Sequence, residues 1–274
     1  MRVALADGLW LARLPETISL LEQRWRLDVG QPFQGSDGSC AWVAPVRRID
    51  GRPAVLKLGM PHMEGAHELL GLRFWDGDPT VHLLEADVDT NAMLLEACEP
   101  GDSLRSIDER EQDVVIARLL RRLWRSSERP SGFRPLAAQM DYWAKETVAA
   151  ALRWPDLSLI EQGLRLFEEL SRESPHDVLL ATDLHAGNVL RAQREPWLVI
   201  DPKPFVGERA YDATQHLLNC PGRLRTDPLG TIRRFADLLE IDDTRVRLWM
   251  LARTVAEPRA TWTDDSLRLA RALT

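Results

Sequence analysis

Cysteine is scarce. The 274 residues hold three, Cys40, Cys98 and Cys220, far apart and without a CxxC pair. That argues against a disulfide scaffold and suits buried or idle thiols in a reducing compartment. Tyrosine is rarer, at two, whereas tryptophan reaches ten, spread from Trp10 to Trp262. Such a spread reads as packing within and between lobes rather than as one recognition patch. Long apolar runs are missing too: no stretch approaches the roughly 18 residues of a membrane span. The opening MRVALADGLWLARLPE is interrupted by Asp7 and carries no small-residue cleavage pattern, so it does not read as a secretory signal. The expectation is a cytoplasmic protein with no membrane partner.

Positive charge is in deficit, with Lys+Arg 35 against Asp+Glu 42 and a net charge of −7. A protein that coats nucleic acid carries a basic stripe, so no nucleic-acid partner is expected. The balance sits more easily with a cationic or neutral small partner. Hydrophobic residues at 45% and charged residues at 28% are ordinary globular usage. They exclude a disordered chain, a collagen and a lone coiled coil.

Patterning divides the chain. SCAWVAPVRRI (39–49) and RPAVLKLG (52–59) are β-rich runs around Asp50-Gly51, a two-residue hairpin signal. HMEGAHELLGLRFW (62–75) predicts a helix closed by Asp76-Gly77-Asp78-Pro79, and 81–90 and 91–98 predict two further strands. Glu99-Pro100-Gly101 marks the exit from the sheet, which gives an N-lobe over 1–98 and a C-lobe over 99–274. Beyond it amphipathic helices are predicted over 106–127, with Ser106 as the capping residue, and over 139–154 and 157–173. Short apolar runs at 178–190 and 196–207 interrupt the rhythm. Helices return at 210–219, 231–240, 244–257 and 265–273. The fold class is α+β, a small strand-rich lobe before a larger helical one.

The chemistry concentrates in 178–201. VLLATD and WLVID each deliver an aspartate, Asp183 and Asp201, and Asn188 lies five residues after the first. A carboxylate opening a loop, an amide five residues on and a second carboxylate after a strand suit phosphoryl transfer. Asp183 would orient an acceptor hydroxyl and take its proton. Asn188 and Asp201 are hard oxygen ligands for Mg²⁺ on a triphosphate. Gly187 would let the chain turn tightly enough for Asn188 to face the same cleft. Lys57, late in the strand AVLKL (54–58), shares a face with Val55 and suits the nucleotide phosphates if a carboxylate holds it. Glu68 is the assigned partner and Glu64, one turn earlier, the alternative.

A lid over the phosphates is read in Gln34-Gly35-Ser36-Asp37-Gly38-Ser39, where Gly35, Ser36 and Ser39 would offer backbone and hydroxyl groups to a phosphate. The same residues also suit an ordinary polar turn. Glu96 and Cys98, at the end of the last strand of the N-lobe, would meet an adenine edge through their backbone.

The chain resembles the aminoglycoside phosphotransferase family, in its aminoglycoside/hydroxyurea resistance kinase branch. The resemblance rests on AVLKL (54–58), HELLGLRFWDG (67–77), MLLEACEPG (93–101), LLATDLHAGNVL (179–190) and WLVIDPKPFVGERAYDATQHLLN (197–219). It implies a protein-kinase-like two-lobed fold, ATP with Mg²⁺, and an alcohol acceptor such as streptomycin. It also implies Asp183 as base, Asn188 and Asp201 as metal ligands, and Lys57 paired with Glu68 on the phosphates. Asp212 would brace the catalytic region. Many members read His-Gly-Asp where this chain has Ala181-Thr182-Asp183. His185 is then expected to shape the loop, and Lys203 either approaches the transferred phosphate or the loop carboxylates, or is a surface lysine between two prolines. A guanidinium-bearing acceptor such as streptomycin calls for carboxylates, of which Asp141, Glu146, Asp177 and Glu208 are available. A kinase of another hydroxylated metabolite and a non-catalytic nucleotide-binding protein are the alternatives.

Overall fold

The computed structural model describes residues 2–33, 40–124, 132–150, 156–172, 174, 176–259 and 262–274. They form two compact units. The first comprises Met1–Asp102 with Arg191–Leu198, the second Ser103–Leu190 with Val199–Thr274.

The first unit opens with α1 (Arg2–Trp25), which sequence reasoning did not anticipate. Pro15 within it looks like a helix breaker. Burial overrides it, because Trp10, Leu14, Ile18, Leu21 and Trp25 present one apolar stripe to a sheet. That sheet contains β1 (Leu27–Val29), β2 (Ala41–Arg48), β3 (Pro53–Gly59), β4 (Leu83–Asp87) and β5 (Ala92–Glu96). Its order is β1-β2-β3-β5-β4, with every pairing antiparallel. Alternation sends Val46, Ala54, Leu56, Leu58, Ala92 and Leu94 to the α1 face. Lys57, opposite Val43 and Met93, therefore points to the other face.

The β2–β3 connection differs from the two-residue expectation. Arg48 N–H donates to Arg52 O at 3.0 Å and Gly51 N–H to Arg48 O at 2.8 Å, closing a three-residue loop. Gly51 takes φ 79°, the left-handed position that such loops reserve for glycine. The predicted helix 62–75 is a 3₁₀ turn (Glu64–His67) running into α2 (Glu68–Trp75). Asp76, at φ 46°, stops it.

The second unit contains α3 (Glu109–Leu123), α4 (Leu136–Ala149) and α5 (Leu157–Arg172). A β-hairpin-like pair follows, β6 (Asp177–Leu180) antiparallel to β9 (Phe205–Glu208). Between them in sequence lie β7 (Val189–Arg191) and β8 (Trp197–Val199). The chain ends in α6 (Arg209–Leu218), α7 (Pro221–Thr226), α8 (Pro228–Leu239), α9 (Asp243–Ala256) and α10 (Asp264–Leu273). Ser106 does not cap α3 as expected. Asp108 does, its carboxylate accepting the Arg110 N–H at 2.8 Å, because Ser106 closes a preceding 3₁₀ turn. Several tryptophans serve the packing role: Trp124, Trp143 and Trp249 are buried in this unit, and Trp249 meets Tyr211 edge-on at 5.1 Å.

Candidate active site

In the first unit Lys57 is 6% exposed, and its ammonium meets Glu68 Oε1 at 2.5 Å. A buried lysine keeps its charge only beside a partner of opposite sign, and Glu68, also buried, is that partner. The side chain of Glu64 lies outside the described residues. So does the segment 34–39, with Gly35, Ser36 and Ser39. At the end of β5 the Glu96 carboxylate is engaged by Arg194 at 2.9 and 3.1 Å and by the His82 N–H at 2.9 Å. Burial alone would raise its pKa, but these donors hold the carboxyl below its ordinary range. Burial pushes the Cys98 thiol up to about 11, so it stays protonated at neutral pH.

In the second unit the catalytic-loop candidates lie just beyond β6. Buried Ala181 is followed by Thr182 at φ 49°, an outlier for a β-branched residue. Four hydrogen bonds impose it. Asp212, 1% exposed, accepts the Ala181 N–H at 3.0 Å and the Thr182 N–H at 2.7 Å. The Thr182 hydroxyl donates to Lys203 O at 2.5 Å, and Lys203 N–H to Ala181 O at 2.8 Å. Asp212 also accepts from the Trp124 indole at 2.8 Å. Burial raises its carboxyl to about 6, against those hydrogen bonds, which lower it. Position 182 is thus a left-handed one, and this chain fills it with a strained threonine.

Asp183 follows at once. Its Oδ1 accepts a 2.6 Å bond from Gln215 Nε2, and its backbone O accepts from Asn188 Nδ2 at 2.9 Å. Gln215 in turn accepts through Oε1 from Arg253 Nη2 at 2.8 Å. Arginine only donates, so Arg253 fixes the amide's orientation and aims its NH₂ group at Asp183. Arg253 is 3% exposed, held by Thr214 at 2.8 Å and Glu257 at 2.9 Å, with Trp143 and Tyr211 against its guanidinium plane. Neither Gln215 nor Arg253 was read from sequence, since the bonds span 32 and 38 residues.

His185 caps the 3₁₀ turn Ala186–Asn188 by accepting the Gly187 N–H on Nδ1 at 3.0 Å. Its proton therefore sits on Nε2, 4.0 Å from Asp183 Oδ1. Burial and the neighbouring Arg105 lower its pKa to about 4, so the ring is neutral at physiological pH. Gly187 lies within this turn, which brings Asn188 to Asp183, but it does so without a left-handed conformation. A Cβ there would lie 2.7 Å from His185 Cε1 and 2.8 Å from Arg105 Nη2, so the glycine serves close approach. The left-handed residues of this site are instead Thr182 and Asp201, the latter at φ 54°.

Asp201 pairs with the ammonium of Lys203, so of the sequence alternatives the approach to the loop carboxylates is the one observed, with a mostly buried side chain rather than a surface lysine. Asn188 spends its NH₂ on Asp183 and makes no hydrogen bond through Oδ1 among the described residues. A carboxylate already holding a cation, with an amide oxygen as the other donor, fits Mg²⁺, which takes few protein ligands and keeps its waters and phosphates. Among the described residues no three His, Cys, Asp or Glu side chains gather as a metal cage.

Residues 24–266 match the family model of the aminoglycoside/hydroxyurea antibiotic resistance kinases. The chain belongs to this family. It is 37% identical over 254 residues to a streptomycin 6-kinase of Streptomyces griseus, covering 89% of this chain and 81% of that one. To a hydroxyurea phosphotransferase of Kitasatospora aureofaciens it is 38% identical over 252 residues, covering 88% and 71%. Among solved structures, a choline kinase from Streptococcus pneumoniae superposes with a TM-score of 0.61 over 94% of this chain and 97% of that one, at 12% identity. This resistance-kinase relative is therefore an ATP-dependent small-molecule phosphotransferase with an alcohol acceptor, on the two-lobed α+β fold. No helix among its described residues is long and apolar enough to cross a membrane.

The four carboxylates offered for a cationic acceptor are otherwise engaged or dispersed. Glu208 is buried under a two-pronged Arg245 pair at 2.7 Å and the Trp249 indole at 2.8 Å. Asp141 pairs with Arg172 at 3.1 Å on the surface. Glu146 is exposed on α4, and Asp177 stands at the start of β6.

Proposed function

We propose that Asp183 is the base in an in-line transfer of the γ-phosphoryl group of ATP to a hydroxyl of a small acceptor. The acceptor oxygen forms the new bond to phosphorus as the bond to the β,γ-bridging oxygen breaks. The hydroxyl proton passes to Asp183, and ADP leaves with the electron pair. One observation carries this reading: the Asp183 carboxylate is gripped from Gln215 while its backbone is tied to Asn188, so the base is oriented before any substrate arrives. Asn188 and Asp201 would hold Mg²⁺, which neutralises phosphate charge when bound. Lys203 would then give up or share Asp201. Lys57, kept charged and extended by Glu68, would meet the phosphates, and the backbone of residues 96–98 would meet the adenine. Cytoplasmic residence belongs to the same reading.

Streptomycin enters through the relatives named for it. The charge around the cavity that Gln215 borders favours instead another hydroxylated metabolite. Transfer from γ-labelled ATP with Mg²⁺ to streptomycin, hydroxyurea, sugars and hydroxy acids tests the reading, with Asp183→Asn as blank. Loss of about 10²- to 10⁴-fold in turnover with nucleotide binding within about twofold is expected. Wild-type turnover in Asp183→Asn would remove the base assignment.

A further inference from the structure

A cavity of about 810 Å³ lies wholly in the second unit, walled by the end of α6, α7, the α9–α10 connection and α10. Gln215 is part of its wall, so the cavity stands one side chain from Asp183. Its volume is that of a small-molecule site. The charged residues of the wall are four arginines, Arg225, Arg253, Arg259 and Arg268, against two acids, Glu257 and Asp265. Each acid serves two arginines. Glu257 bonds Arg253 at 2.9 Å and is also the carboxylate acting on Arg259. Asp265 bonds Arg225 at 3.2 Å and Arg268 at 2.5 Å. The cavity is therefore cationic in a chain of net charge −7.

Arg259 is the residue for which this matters most. Its guanidinium donates to Arg253 O at 2.9 Å, to Glu257 O at 3.3 Å and to the Ser266 hydroxyl at 3.5 Å, and it lies against Trp262. All three acceptors are neutral. The buried Arg253 beyond it draws on the same Glu257 and, through Gln215, on Asp183. A half-buried guanidinium oriented by neutral acceptors beside a second arginine is built to receive an anion. A polycation entering this cavity would be repelled by the same groups.

Resting on the kinase reading above, we infer that the acceptor is a hydroxylated molecule carrying an anionic group, a carboxylate or a phosphate ester, held by Arg259 with Arg268 and Arg225 at the rim. Its hydroxyl would then point past Gln215 toward Asp183.

The test uses the full chain without nucleotide, with the arginine Nε–H resonances followed by NMR during titration with inorganic phosphate, D-gluconate, D-glucose and streptomycin. Phosphate or gluconate is expected to shift the Arg259 resonance saturably, with a dissociation constant of about 1–10 mM. Arg259→Gln should weaken that binding about tenfold or more, as measured on the remaining cavity resonances, and Arg268→Gln a few-fold. In turnover, the acceptor with the highest kcat/KM should be anionic and lose about tenfold, through KM, in Arg259→Gln. No shift of cavity resonances by either anion to about 50 mM would overturn the inference. So would streptomycin binding more tightly than both anions, or anion binding unchanged in Arg259→Gln. Should Arg259→Gln not fold, Arg268→Glu at the solvated rim reads the same sign. Mg-ATP binding measured on the same samples separates the two readings: anion binding without nucleotide binding would sink the kinase proposal and leave the cavity assignment standing.

Discussion

Replacing Asp212 by asparagine exchanges one oxygen for an NH₂ group, and the structure says which contact suffers. Oδ2 accepts two donors, the Trp124 indole at 2.8 Å and Ala181 N–H at 3.0 Å, whereas Oδ1 accepts only Thr182 N–H at 2.7 Å. An asparagine that keeps its oxygen on the two-donor side satisfies both and sets its NH₂ against Thr182 N–H. A buried donor left unpaired costs about 1–3 kcal/mol. Against that, the neutral amide escapes the desolvation that lifts the carboxyl from 3.8 to about 6, a difference of about 3 kcal/mol. Overall stability should therefore change by only about 1–2 kcal/mol, a melting shift of a few degrees at this size.

Activity should change far more. Thr182 at φ 49° stores roughly 1–3 kcal/mol, and its N–H bond to Asp212 is part of what keeps it there. Once that bond is gone Thr182 relaxes, and Asp183, the next residue, moves with it. A displacement of about 1 Å costs on the order of 10² in rate. Asp212→Asn is thus expected to lower kcat about 10- to 100-fold in the phosphate-transfer assay, with KM for Mg-ATP within about twofold. Adding Thr182→Gly should restore up to about tenfold, because glycine takes the left-handed conformation without the roughly 1–2 kcal/mol cost to an L-residue. A single mutant keeping half its kcat, or a double mutant worse than the single, would refute the reasoning.

Three further outcomes are expected. Lys57→Met should destabilise by about 3–5 kcal/mol by stranding the buried Glu68, and Lys57→Met/Glu68→Leu should regain the melting temperature without regaining turnover; recovery of turnover in the double variant would count against a phosphate role. Asp201→Asn should raise the Mg²⁺ concentration for half-maximal rate about tenfold or more, and an unchanged Mg²⁺ titration would remove it as a ligand. His185, held at about 4 against 6.5 when unfolded, binds fewer protons folded than unfolded. Its contribution is complete above about pH 6.5 and is lost as pH falls toward 4, by up to about 3 kcal/mol. Asp212, raised to about 6, works in the opposite direction between pH 6 and 3.8. The His185 slope is therefore read as wild type minus His185→Gln in denaturant melts, and equal slopes would sink it.

Much of this protein is legible in local pattern. The β-rich runs, α2, the helices after residue 106 and the alternation that turns Lys57 away from the α1 face depend on neighbours two to four residues apart, which sequence displays directly. The candidate site residues Asp183, Asn188 and Asp201 are likewise near one another in sequence, because one loop and the strand after it deliver all three. What sequence misread was decided by contacts it does not show. Pro15 argues against α1 until the sheet beneath it is known. Ser106 and Asp108 are equally good caps on paper, and the 3₁₀ turn before α3 chooses between them.

Tertiary structure alone decided the supports and the electrostatics of the site. Trp124 reaches Asp212 across 88 residues, and Gln215 reaches Asp183 across 32. The two arginines that share Glu257 meet it from the end of α9 and from the segment that leaves it. Net charge leaned toward a cationic or neutral partner, yet among the charged residues lining the cavity next to Gln215 four arginines face two acids. A sum over 274 residues is dominated by the solvated surface, whereas a ligand meets only the few charges that folding turns inward.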